Sequence, residues 1–186
     1  MKNLLGLIGA LMLILYNLLP AWGAWHVGPP ELTADEVFAL WYPLETKQSD
    51  GRIFSMDLPV QAESEKEMTI HTPYESLDRY EASDDGLELE ILHGVLRDPQ
   101  AEVGFDLESL KGRLRNPGSM MVQGEGIRLA GGHPLHLIEG VDGESAKEYL
   151  GYKDGRDVWM FYFRYGKDDE ETKALINQSI DSMDVN

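Results

Sequence analysis

From residue 53 onward the spacing of apolar positions changes period several times, and each change marks an element. Ile53-Phe54-Ser55-Met56-Asp57-Leu58 alternates loosely and stops at Pro59, as a strand does. Met68–His71 is a weaker strand signal. Leu87, Leu89 and Ile91 alternate with Glu88 and Glu90 after the turn residues Asp84-Asp85-Gly86, which predicts a strand with one buried and one wet face. Leu107–Leu114 reads as a helix, closed by Asn116-Pro117-Gly118. Four strands follow: Met121–Leu129 and Pro134–Val141, separated by Gly131-Gly132, then Lys147–Tyr152 and Asp157–Tyr165, separated by the hairpin dipeptide Asp154-Gly155. Val158–Phe163 is apolar or aromatic on both faces, so it belongs at the centre of a sheet covered on both sides. The last element is a helix. Asp168–Glu171 fill its first turn, where carboxylates meet the positive end of the dipole, and Thr172, Leu175, Ile176, Ile180 and Met183 form its apolar stripe.

The first 24 residues follow a different pattern. Lys2 is their only charge, Leu4–Leu15 is an unbroken apolar or glycine run, and Pro20 precedes Ala21-Trp22-Gly23-Ala24. This predicts a secretory signal peptide, cleaved after Gly23 or after Ala24, with an uncleaved N-terminal anchor as the alternative. Residues 25–51 read as a linker, stiffened by Gly28-Pro29-Pro30, and a short helix over Thr33–Tyr42 with Thr33 and Glu36 at capping-box spacing. Gln48–Arg52 is polar and turn-like. Residues 52–186 then form one domain, an α+β fold with a mainly antiparallel sheet.

Composition narrows the setting. The 186 residues carry a formal charge of −17. A field of that sign repels phosphate backbones, and the largest basic cluster is only Lys111, Arg113 and Arg115, so nucleic acid is excluded as a partner. The chain has no cysteine. No lipid anchor can form on a Cys, and no disulfide braces the domain, whose stability rests on its core. The expected location is outside the cytoplasm, periplasmic or extracellular, with a membrane as partner only if the leader is retained.

The order of elements and several short signatures carry a resemblance. Phe54-Ser55-Met56-Asp57-Leu58-Pro59 opens the domain, and the stretch from Ile127 through Gly131-Gly132-His133-Pro134 to Gly140 lies in its middle. Trp159-Met160-Phe161-Tyr162-Phe163 leads to a helix ending Ile176-Asn177-Gln178-Ser179-Ile180-Asp181-Ser182-Met183. Over roughly residues 52–184 the chain resembles the PsbP-like superfamily, which includes the extrinsic subunit of photosystem II, the Mog-type Ran-binding protein and bacterial envelope proteins of the DcrB kind. The resemblance implies an α/β/α sandwich around an antiparallel sheet, and a non-enzymatic life spent binding or stabilising other proteins. It carries no catalytic or ligand residues over to this chain.

A direct search for chemistry yields candidates that each have a plainer structural use. Glu88 and Glu90 point the same way on a strand, about 7 Å apart, a separation that inverting glycosidases use, although the alternating leucines already account for the pattern. His133 and His136, three apart on a strand, project to opposite faces and lack the third ligand a zinc site needs. Asp84-Asp85-Gly86 and Asp154-Gly155-Arg156-Asp157 lack the spaced oxygens of a calcium loop, and weak calcium binding by the acidic surface stays open. Gly143-Glu144-Ser145-Ala146-Lys147 lacks the second glycine of a nucleophile elbow, and Gly124-Glu125-Gly126 lacks the third glycine of a dinucleotide loop. The aromatic strand around Trp159 reads as core. No catalytic, cofactor-binding or metal residue is therefore assigned, and no cofactor is expected. The function expected is an exported, non-enzymatic binding or assembly module of the bacterial cell envelope, acting on a protein or other envelope component. The alternative is an envelope hydrolase of a glycan or ester, resting on Glu88, Glu90 and the histidines.

Overall fold

A computed structural model describes residues 41–186 except Asp85, Asn116 and Pro117. The expected leader, the Gly28-Pro29-Pro30 linker and residues 33–40 of the expected short helix lie outside the described residues. Its last position, Tyr42, opens a strand instead, β1 (Tyr42–Lys47). Further strands are β2 (Ile53–Leu58), β3 (Glu63–Lys66), β4 (Tyr74–Asp84) and β5 (Leu87–Leu96). Helix α1 (Leu107–Lys111) precedes β6 (Met121–Ala130), β7 (His133–Asp142), β8 (Ser145–Asp154) and β9 (Asp157–Gly166). Helix α2 (Glu170–Asp181) and the two-residue β10 (Asp184–Val185) complete the chain.

Seven strands form one sheet in the order β3-β4-β5-β9-β8-β7-β6, and β1-β2-β10 form a second, smaller one. Every pairing is antiparallel. Short hairpins dictate this layout. Ala130 pairs with His133, Asp142 with Ser145 and Asp154 with Asp157, so two residues make each connection. At the last of these the loop is Gly155-Arg156, one step beyond the expected dipeptide. Gly155 takes φ +60 at the first loop position, as a type II′ turn requires.

Strand β9 is central, as its composition demands, and divides two apolar clusters. Trp159, Phe161 and Phe163 face the first, where Phe54, Met56 and Leu58 of β2 and Ile176 and Ile180 of α2 meet them. Val158, Met160 and Tyr162 face the second, under α1 and residues 97–120. Helix α2 is pinned as well as packed. The Ser179 hydroxyl donates to the Asp57 carbonyl at 2.6 Å, and the Asp57 N–H donates to the Ser182 hydroxyl at 2.9 Å. The architecture is an α+β fold with a mostly antiparallel, seven-stranded sheet. One face is covered jointly by α2 and the small sheet, the other by a single short helix and extended chain.

Several expectations change. Met68–His71 is not a strand: Thr69–Thr72 forms a turn, with the Thr72 N–H bonded to the Thr69 carbonyl at 3.2 Å and His71 at φ +64, and Met68 and Ile70 are exposed. Helix α1 stops at Lys111, three residues short of Leu114, because Gly112 caps it. Strand β5 is buried on both faces, Glu90 included, so it has no fully wet face.

Candidate functional site

The ladder gathers charged residues on the sheet face that also carries the second apolar cluster. Directly opposite residues of antiparallel strands share a face. Glu63, Glu81, Glu90 and Tyr162 therefore form one row across β3, β4, β5 and β9. Ser83, Glu88, Arg164 and Lys147 form the neighbouring row across β4, β5, β9 and β8. Three adjacent glutamates repel one another, and the fold answers with arginines. Arg79, opposite Glu65, ion-pairs with Glu67 and Glu90 and donates to the Arg113 carbonyl at 3.1 Å. The Arg115 guanidinium reaches Glu65 at 2.5 Å and Glu81 at 3.3 Å, while its backbone N–H lies 3.3 Å from both Glu90 oxygens. Arg164 pairs with Glu88 at 2.6 Å.

Between these rows lies a cleft of about 490 Å³, lined by Gln61, Glu63, Glu81, Ser83, Glu88, Glu90, Arg115 and Tyr162 among others. Four glutamates face it against one arginine. Tyr162 is buried and its hydroxyl has no hydrogen-bond partner among the described residues. Burial, reinforced by Tyr149 and Glu88, pushes that phenol up, so it stays a neutral donor. Arg79 above all, with Arg115, holds the Glu67 carboxyl below the ordinary range, so it carries a fixed negative charge.

The structure thus brings Glu88 and Glu90 to one cleft, as their spacing predicts, but ties both to guanidinium groups. A glycosidase needs one carboxyl that delivers a proton and another that activates water, both facing the scissile bond. The buried side chain of Glu90, 7% exposed, is spent on the equally buried Arg79. The recess is therefore lined by four glutamates, three of them paired with Arg79, Arg115 or Arg164, and by the buried Tyr162. Arg79, Arg115 and Tyr162 carry no motif: the register of the sheet reveals Arg79 and Tyr162, and the course of the segment after α1 reveals Arg115.

A serine, an aspartate and a histidine also converge, unforeseen from the sequence. His93 Nε2–H donates to Asp157 at 2.7 Å, and Ser49 bonds the same carboxylate through its N–H at 3.1 Å and its hydroxyl. Burial works to raise the Asp157 carboxyl, but the bonds from His93 and Ser49 outweigh it and hold it below the ordinary range. The aspartate stands between the other two, so the imidazole cannot take the serine proton. This group anchors the 48–52 turn onto β9, with His93 stacked on Trp159.

The remaining sequence candidates separate. His133 tilts against Tyr152 on one face and His136 stacks on Phe105 on the other, and no group of three metal-ligating side chains occurs among the described residues. Gly143-Glu144 is a hairpin tip, while Gly124-Glu125-Gly126 runs within β6. Asp154 accepts from Arg52 at 2.6 Å.

No family model matches the chain. No curated protein matches it. Among solved structures, the crystal structure of LpqN, a protein involved in cell envelope biogenesis of Mycobacterium tuberculosis, aligns with 86% of this chain and 99% of its own at 16% identity and a TM-score of 0.37.

Proposed function

We propose that the chain is an exported, non-enzymatic binding or assembly module of the bacterial cell envelope, and that the Glu81–Glu90 cleft receives a cationic group of a protein or envelope component. The observation that carries this reading is the cleft itself, lined by four glutamates and one arginine, with a buried tyrosine whose hydroxyl has no partner among the described residues. The net charge of −17 works in the same direction, since it draws basic partners in and turns phosphate polymers away. The resemblance to PsbP-like domains supports a life of binding rather than turnover. Secretion is supported by the apolar run of residues 4–15 behind Lys2.

The test is retention of a basic envelope component on the immobilised domain at low ionic strength, with release as salt rises. Glu63→Gln with Glu81→Gln removes two cleft charges from exposed or half-exposed positions, and the reading requires this double variant to lose retention. Retention that ignores both salt and the variant overturns it. The hydrolase reading has one observation in its favour, the presence of Glu88 and Glu90 in the same cleft. It prevails if cell-wall glycans or model esters are cleaved and Glu88→Ala abolishes the cleavage.

A further inference from the structure

The two outer edges of the seven-stranded sheet are built differently. Strand β3 ends one side with four exposed residues, Glu63-Ser64-Glu65-Lys66, and such short, charged edges discourage pairing with another chain. Strand β6 ends the other with ten residues, about 33 Å of backbone, and no described strand pairs its outer side. A bulge interrupts it between Val122 and Gly124, and the seven residues Gly124–Ala130 beyond are paired in unbroken register with β7. Ile127 and Leu129, 58% and 72% exposed, and Val122 project from the face that carries His136 and Ile138. Half of the large exposed hydrophobics of the described residues lie on this one strand. A long, apolar, uncovered edge is the element that β-augmentation uses.

The other face of β6 supplies the specificity. There Gly124 and Gly126 have no side chains, and space above Gly126 is empty to 4 Å. Glu139, opposite Gly124 on β7, leans over that glycine, with a carboxylate oxygen 3.5 Å from where a Cβ would stand. No cation is in ion-pair contact with Glu139 among the described residues, and Glu148, its neighbour on β8, is spent on the Tyr165 hydroxyl at 2.5 Å. Both glutamates line a recess of about 230 Å³ together with Lys147, Lys167 and Lys173, of which Lys147 pairs with Asp142 and Lys167 with Glu144.

We infer that the outer edge of β6 accepts an extended polypeptide segment as an eighth strand, with basic side chains on one face and apolar ones on the other. Successive residues of such a strand alternate faces. A lysine or arginine opposite Gly124 passes over the bare backbone to the Glu139 carboxylate. The next residue along stands beside Glu125, on the opposite face, and those three and five positions along lie on Ile127 and Leu129 of that face. Charge decides between occupants: a second copy of this chain brings another −17 and another unpaired Glu139, whereas a basic segment is attracted by both. The inference rests on the reading of the chain as a binding module, but uses the sheet edge remote from the Glu81–Glu90 cleft.

The probe is an eight-residue peptide alternating lysine and valine, with a glutamine–valine analogue as control, titrated into the full chain. Binding should protect the amides of Gly124–Ala130 from hydrogen exchange. Ile127→Lys with Leu129→Lys places charges on exposed edge positions and should abolish binding. Glu139→Gln should weaken the lysine peptide about fivefold, the effect of one partly screened ion pair, and leave the control unchanged. Glu63→Gln with Glu81→Gln should leave this binding intact, which separates it from failure of the cleft reading. The inference is overturned if the lysine peptide does not bind, if it binds the double-lysine variant equally, or if the edge is instead occupied by self-association that the same variant dissolves.

Discussion

Residue-level chemistry is dominated by which glutamates are buried and what meets them. Glu90 and Arg79 form an ion pair whose side chains are both under one-tenth exposed. Removing one member of such a pair leaves the other charge in a poor solvent, so Glu90→Ala should cost about 3–5 kcal/mol in chemical denaturation. Glu88 meets Arg164 with both side chains more than two-fifths exposed, and Glu88→Ala should cost under about 1 kcal/mol. Equal effects at the two positions would contradict the burial difference. Glu148 supplies a pH test. Burial pushes its carboxyl up, aided by Glu139 and opposed by Tyr165, Arg128 and Lys173. Because its folded pKa lies above the unfolded one, the folded state holds the extra proton, and stability falls as pH rises from the ordinary carboxylate range through the raised value. Unfolding midpoints measured across that range should show this decline in the wild type and a flatter course in Glu148→Gln. The sequence showed Glu88 and Glu90 as a pair but not their difference, because Glu90 is met by Arg79 of the neighbouring strand and by the backbone of Arg115 from the segment after α1.

At the scale of elements, legibility followed apolar spacing. Strands β2, β7, β8 and β9 and helix α2 carry their own patterns and were readable. Strand β4 was not, because a bulge between Tyr74 and Ser76 breaks its period and Arg79 and Glu81 occupy positions where apolar residues would signal burial. Strand β3 has no apolar residue at all, and two-residue β10 is held by its pairing with Phe54 and Ser55. In α2 the buried stripe is Ile176, Ser179 and Ile180, with Leu175 only half-buried at its margin. Ile180→Ala should therefore cost about 2–5 kcal/mol, and an unmoved midpoint would mean that the helix is not docked on β2 and β9. The β6–β7 hairpin offers a finer comparison. Gly131 and Gly132 both have positive φ, but a Cβ at Gly131 would stand 2.5 Å from the Met183 carbonyl oxygen, while one at Gly132 meets nothing within 4 Å. Gly132→Ala should cost about 1–2 kcal/mol for its backbone alone, and Gly131→Ala clearly more, since the end of α2 must also move. Matching losses would show that the hairpin does not abut the helix end.

For the whole molecule, charge was legible from composition, whereas the site was not. The cleft exists because β3, β4, β5 and β9, separated by up to about a hundred residues of sequence, lie side by side, and no local motif announces such a place. The charge of −17 is spread over the chain, yet the sheet concentrates its consequence at the row Glu63, Glu81 and Glu90. Long-range attraction between that surface and a basic partner is screened within a Debye length of about 8 Å at physiological salt, so association should be fast at low ionic strength and slow visibly as salt is added.

The most direct measurement is calorimetric titration of an arginine-bearing basic peptide into the intact domain at low and at physiological ionic strength, for the wild type and for Glu63→Gln with Glu81→Gln. A cationic group held in the Glu81–Glu90 cleft predicts binding that weakens with salt and falls further in the double variant. Affinity that is the same in all four titrations, or an absence of binding alongside turnover of a glycan or ester, would contradict the account.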